Sequence, residues 1–353
     1  MAGPVPAGRA QEQPVLWLGM TGFAPAQRKA LETSIGRAAG SCRWRLSPFG
    51  DADGWWVNGA KCSLTGGNRL KIGPGLPTEH TLRLELGEVK RPLAFAKPLA
   101  PNNLEALCLF DPADDQSIHQ ALQRFEQWLL PVRARFVIGA LLLQRESEER
   151  RGIYHLSQRG TLLAVLDFQQ GQVAISPRAH PQHLWGATWE RRPTAAGQTP
   201  PGFAVCTVTE LAWNYVRRTD RDMLPPRYRT AAIYYRHVPR VPMNWLRDSQ
   251  LVLLRELSTG SGTLRSLQER TRVPPEQLAH DLACLFYAGS VTTTPELASQ
   301  PPDDVSNSLG LWPESAGPGE QSPPPRPRLD LTAPAMLERR PRRPPDGDEL
   351  ALS

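Results

Sequence analysis

From about Leu297 onward the chain loses the composition of a folding polypeptide, and this break limits what the rest can build. Residues 297–353 are rich in Pro, Ser, Asp and Gly and include SPPPRPR at Ser322–Arg328 and RRPRRPPDGDE at Arg339–Glu349. Such a stretch buries too little apolar surface to offset the entropy of ordering, so a disordered tail is expected, with PPPRP readable as a polyproline ligand. The lead at residues 1–13 reads as disordered too, and its lack of an apolar core argues against export. The remaining residues, 14–296, are too many for one comfortable core, so two or three domains are expected.

Periodicity divides them into three blocks. In residues 14–108, Val15–Leu18, Gly54–Val57, Arg69–Ile72, Thr81–Leu86 and Leu93–Ala96 read as strands. Pro25–Ile35 reads as a helix with proline in its first turn, and the order predicts a small α/β sheet. In residues 109–243, Ile118, Leu122, Phe125, Leu129 and Leu130 recur at helical spacing, so Gln116–Leu130 is an amphipathic helix that Asp114 or Asp115 can cap. Gly152–Leu156, Gly160–Asp167 and Gln172–Ser176 predict an antiparallel meander, Gln182–Trp189 a helix, and Thr207–Arg218 a helix capped by Thr207 or Thr209. This middle block is therefore α+β. In residues 244–296, helices at Leu251–Leu257, Thr263–Arg270 and Pro275–Ala288 precede a short strand at Val291–Thr294. Gly289 would end the third helix.

Two of these blocks resemble known families. Residues 14–108 resemble response-regulator receiver domains: the apolar run Leu93–Ala96 ends in Lys97-Pro98, and the strand at Trp55–Val57 follows Asp53. The resemblance implies a phosphorylated aspartate at position 58 and metal-binding acids after the first strand. Asn58 and Gly19-Met20 stand there instead, and Asn58 lies closer to Lys97 than is usual in that family. An amide forms no acyl phosphate, and Mg²⁺ lacks hard ligands without carboxylates. The resemblance thus implies a scaffold without phosphotransfer. Residues 244–296 resemble winged-helix modules in outline. The third helix would then read DNA, yet Pro275–Tyr287 carries no Arg or Lys and two acids, which disfavours DNA and leaves protein binding.

The densest charge lies between Tyr215 and Arg240. Seven arginines against Asp220 and Asp222 leave that segment at +5, nearly the whole net charge of +6. Arg217, Arg218, Asp220, Arg221, Arg227 and Arg229 form its centre, and Arg217–Asp220 has the R-x-x-D form that recurs in proteins binding cyclic di-guanylate. Guanidinium groups can grip phosphate or guanine there. The alternative is structural: Asp220 and Asp222 pair with Arg218, Arg221 or Arg227, and the arginines staple the middle block to the third across Val238–Trp245. The chain has 36 arginines against five lysines, which looks like a GC-rich bacterial genome and lowers the information in any one arginine cluster.

Nothing else suggests chemistry. His180 and His183 lack a third ligand nearby, no serine sits in a GxSxG frame, and no GK[ST] follows Gly66-Gly67 or Gly73-Pro74-Gly75. Five scattered cysteines read as reduced thiols, and no apolar run reaches membrane-spanning length. The expectation is a cytoplasmic bacterial regulatory protein, non-enzymatic and without cofactor, that acts by binding another protein. Alternatives are a cyclic-dinucleotide sensor through Arg217–Arg229 and a DNA-binding regulator through residues 244–296.

Overall fold

The computed structural model describes residues 11–299 apart from 39, 67, 102–105, 107 and 146–150. The tail expected from residue 297 lies, beyond residue 299, outside the described residues, as do the first ten residues of the expected lead.

The chain opens with β1 (Val15–Thr21), α1 (Pro25–Arg37), β2 (Arg43–Leu46) and β3 (Gly54–Asn58). β4 (Cys62–Thr65), β5 (Arg69–Ile72) and β6 (Leu82–Glu85) form a separate antiparallel sheet, after which β7 (Leu93–Ala96) and β8 (Leu109–Phe110) rejoin the first. The first sheet is parallel throughout, in the order β2-β1-β3-β7-β8. Without the insertion this is 2-1-3-4-5, the order of flavodoxin-like doubly wound sheets. β1, β3 and β7 read as nearly continuous apolar runs because both faces of the sheet are covered there. On one face Leu16, Leu18 and Trp56 share a core with Leu31 and Ile35 of α1. On the other, Val57 and Phe95 pack with Leu70 and Ile72 of the inserted sheet, which stands where a helix would otherwise lie.

Across the boundary expected after residue 108 the core is continuous. β8 is the last parallel strand, and α2 (Asp115–Trp128) lays Ile118, Leu122 and Phe125 on the same sheet. The amphipathic stripe of α2 was legible, and Asp114 caps it through the N–H groups of Gln116 and Ser117. A stripe does not say which sheet it covers.

α3 (Leu130–Gln144) is buried along Phe136–Leu142 and forms the centre of the second half. β9 (Ile153–Gln158), β10 (Thr161–Asp167), β11 (Gln172–Ile175), α4 (Pro181–Trp185), β12 (Thr188–Arg192) and β13 (Ala204–Thr207) follow. The five strands form an antiparallel sheet in the order β12-β9-β10-β11-β13. The helix expected over Gln182–Trp189 stops at Trp185, because Trp189 pairs with Leu156 as part of β12. α5 (Val208–Arg218) is closed by the Thr207–Glu210 capping box and crosses α3 closely.

The last elements are α6 (Arg227–Thr230), β14 (Tyr234–Tyr235), α7 (Asp248–Thr259), α8 (Leu264–Thr271), α9 (Pro275–Tyr287) and β15 (Val291–Thr292), with β14 paired to β15. The boundary expected after residue 243 runs through a core that is continuous from α3 to α9. Trp213 of α5 stacks on Trp245 at 5.4 Å, and Tyr228 tilts against Phe286 at 5.1 Å.

The α3–α5 crossing rests on Gly139, where a Cβ would overlap the Leu211 carbonyl and lie 2.8 Å from Tyr215 Cβ. Gly139→Val should therefore cost about 1–3 kcal/mol by overpacking in urea denaturation. Unchanged stability would reject so close a crossing.

Candidate functional site

The last turn of α5 carries Arg217 and Arg218, cations at the helix end where the dipole favours them. Both point into the protein. Arg218 makes a two-pronged ion pair with Asp53, 2.6 Å at each prong, with side chains 5% and 10% exposed. It also donates to the Val15 carbonyl and to Asn214 Oδ1. The N–H of Trp17 donates to Asp53 as well. Burial by itself raises the Asp53 carboxyl, but the Arg218 guanidinium outweighs it and holds Asp53 below its ordinary value. Arg217 donates to the carbonyls of Trp245 and Asp51, and lies 5.1 Å from the centre of the Trp213 ring. Burial, followed by neighbouring Arg218, lowers it to about 10.

The other residues of the segment are also engaged. Asp220 pairs with Arg43 and Arg45 of β2, Arg221 with Glu12, and Arg229 with Asp222, while Arg227 lies over the rings of Tyr228 and Phe286. Glu12 further accepts from Tyr215 Oη and Thr219 Oγ1, so the expected disorder of the lead does not extend to this residue. The staple therefore runs differently from the expectation. Apart from the Arg217–Trp245 bond and the stacking of Arg227 on Phe286, these partners lie in the lead, in the first block or within the segment itself, not along Val238–Trp245. Asp53 and Glu12 were missed because nothing local marks them: Asp53 lies 165 residues before Arg218.

In doubly wound sheets, ligands bind beyond the carboxyl ends of the strands where the order reverses, here between β1 and β3. That crevice is filled by the chain itself. Asn58 Nδ2 donates to the Gly22 carbonyl, and Asn58 Oδ1 accepts the N–H of Ala60. Glu79 accepts from the N–H groups of Gly22 and Gly75 and pairs with Arg28 at 3.5 Å. Gly75 lies so close that a Cβ would overlap the Gly22–Phe23 backbone. Lys97 is exposed at the end of β7 and precedes a cis proline.

A cleft of about 900 Å³ opens between β2, the end of α5 and the first turns of α7 and α9. Its cations are Arg45, Arg217, Arg221, Arg229 and Arg247. Its acids are Asp51, Asp220, Asp222, Asp248 and Glu276, so the lining is balanced in charge. Val15, Trp17, Leu46 and Met223 supply apolar wall. Arg247 lies over the Trp17 ring at 4.9 Å. His280, with Nε2 unpartnered, is lowered to about 4 by burial and then by Arg247. Beneath this wall Asp281 is fully buried: Ser249 Oγ donates to one oxygen at 2.7 Å, and the other has no hydrogen-bond partner among the described residues. Burial pushes its carboxyl up, against the pull of Ser249 and Arg247.

Among the described residues no group of three His, Cys, Asp or Glu is placed to hold a metal, and His180 and His183 stand 5.8 Å apart, ring to ring. No helix among them is long and apolar enough to cross a membrane.

Two predictions follow from the buried charges. Arg218→Ala leaves Asp53 buried and unpaired and should cost about 3–5 kcal/mol, whereas Arg218→Met combined with Asp53→Leu should recover most of it. Thermal melts of the three proteins decide this, and equal melting of wild type and Arg218→Ala rejects the clasp. Asp281 has the opposite sign to Asp53. Its raised carboxyl contributes stability below the unfolded range near about pH 4 and loses it as pH rises through the folded value. Asp281→Asn should thus gain on the wild type as pH rises toward neutrality, with little difference near about pH 4. A pH-independent difference in melting temperature would count against a strained carboxylate.

The chain matches no protein-family model, no curated protein and no solved structure.

Proposed function

We propose that this chain is a non-enzymatic regulatory protein of the bacterial cytoplasm that binds a segment of another polypeptide in the cleft between β2, α5, α7 and α9. The observation that carries this reading is the balance of charge in the cleft. The arginines that look like a polyanion site in the sequence are tied to Asp53, Glu12, Asp222 and backbone carbonyls, so little positive field is left for a dinucleotide or a nucleic acid. A wide opening with both signs of charge and an apolar wall suits a polypeptide of mixed composition.

In this reading residues 14–129 act as a receiver-like scaffold. The parallel strand order supports that likeness, and the filled crevice at Asn58 and Glu79 fits a scaffold that performs no phosphotransfer. The winged-helix-like elements α7–α9 serve protein contact. Every residue from Leu278 to Tyr287 is buried or half-buried, whereas a helix entering a major groove needs a free face. Five free, buried cysteines fit a reducing compartment.

A photoreactive residue at Met223, in the cleft, should form adducts with a polypeptide in cells. The same group at exposed Val238 should not, and Ala279→Trp, which fills the cleft, should abolish the Met223 adduct. No cleft-dependent adduct, or a melting shift with cyclic di-guanylate or DNA binding at low salt, would remove the reading.

A further inference from the structure

We infer that the corner of the cleft formed by Arg247 and His280 is an anchor for a carboxylate side chain of the bound polypeptide. This rests on the cleft being a polypeptide site and adds which chemistry fixes the segment. The arginines of the cleft are unevenly committed. Arg45 is paired with Asp220 at 3.0 Å, and Arg229 with Asp222, while Arg221 reaches Glu12 at 3.1 Å. Arg217 has both terminal nitrogens on backbone carbonyls. Arg247 has no carboxylate within ion-pairing distance among the described residues, and the Trp17 ring holds its guanidinium in place. The charged neighbours felt by His280 are Arg247, Arg217 and Asp220, and Asp220 is already shared by Arg43 and Arg45.

The acids closest in sequence do not answer Arg247. Asp248 and Glu276 sit in the first turns of α7 and α9, where they already complement the helix dipoles. Those helix ends therefore offer no anion site of their own. Asp281 is sealed in the α7–α9 seam and bonded to Ser249, which in turn accepts from Gln277 Nε2 at 3.2 Å. What is left is one fixed guanidinium beside a neutral imidazole whose Nε2 has no partner.

That arrangement selects the class of ligand. One unpaired guanidinium matches one carboxylate, and a guanidinium meets a carboxylate edge on with two parallel hydrogen bonds. A phosphate dianion or a dinucleotide would need at least a second free cation and would face Asp222, Asp248 and Glu276 on the same walls. The imidazole, its Nε2 buried, adds no charge beside the guanidinium. Trp17, Leu46 and Met223 give the residues flanking the acid an apolar surface to lie on.

The test uses the full chain and four probes at low salt in isothermal titration. These are a capped decapeptide alternating Glu and Leu, its Lys counterpart, inorganic phosphate and cyclic di-guanylate. The Glu peptide should bind and the Lys peptide should not. Arg247→Ala should weaken the Glu peptide by about tenfold or more, the loss expected for a charge-assisted hydrogen bond. Arg247→Glu should transfer preference to the Lys peptide, Arg247→Lys should retain binding to the Glu peptide, and Arg192→Ala, on β12, should change nothing. The charge-reversal exchange and the Lys variant keep the test decisive if truncation at 247 loosens the fold. The inference is overturned if the Glu peptide does not bind, if Arg247→Ala binds it as the wild type does, or if phosphate or cyclic di-guanylate binds through Arg247 in its place. A polypeptide adduct at Met223 that persists while Arg247→Ala keeps full affinity would sink the anchor and leave the cleft reading standing. Loss of both the adduct and peptide binding would sink the two together.

Discussion

The Arg218–Asp53 pair is the point on which the described structure hangs. Asp53 sits at the entry to β3 and accepts the N–H of Trp17 in β1, while Arg218 ends α5 and donates to the Val15 carbonyl. Two parallel strands and α5 of the second half are thus joined through one pair of charges. A buried ion pair stabilises only when its hydrogen bonds are nearly complete, since desolvation of each ion costs several kcal/mol. Here they are nearly complete: Asn214 and the Val15 carbonyl occupy the guanidinium, and the Trp17 N–H supplements it on the carboxylate. Around the pair runs a more exposed ring of Glu12, Asp220, Arg43, Arg45 and Arg221. These are worth less individually because water screens them, but they fix which way the two halves face.

The clasp also makes the cleft. Because α5 shares one core with α7 and α9, holding its end against β1 and β3 sets the first turns of those helices opposite β2. The gap between them is what remains when the ion pair sets the separation. The arginines of segment Arg217–Arg229, the most positive part of the chain, are therefore tied into the framework of the cleft. Arg247 is a different case: it comes from outside that segment and has no ion pair among the described residues, and the proposed recognition role falls to it.

Much of the fold was legible in local pattern. The α2 stripe with its Asp114 cap, the β9–β11 meander, α5 with its Thr207 cap and the three helices from Asp248 to Tyr287 follow from spacing and turn chemistry. Elements of weak or mixed character were not. β2 is Arg-Trp-Arg-Leu, whose charged side chains conceal a strand that exists because β1 lies beside it. β12 and β13 are edge strands made by pairing with β9 and β11 rather than by their own composition. The candidate site was legible in part. The crowding of arginine with aspartate at 217–229 announced a network, but its partners Asp53 and Glu12 are remote in sequence and individually ordinary. Arg247, one arginine among 36, carried no mark at all.

Sequence alone determined the elements whose cause is local: helices with a stripe and a cap, strands that are apolar throughout, and a composition break near residue 297. It also excluded phosphotransfer at Asn58, because an amide cannot do a carboxylate's chemistry whatever surrounds it. Tertiary structure decided how those elements divide between cores, which acid meets which arginine and where an opening remains. The physical reason is range. Propensity and capping act over a few residues, so they can be read in order along the chain. A buried charge is satisfied by whatever group the fold delivers within about 3 Å, and for Arg218 that group lies 165 residues away.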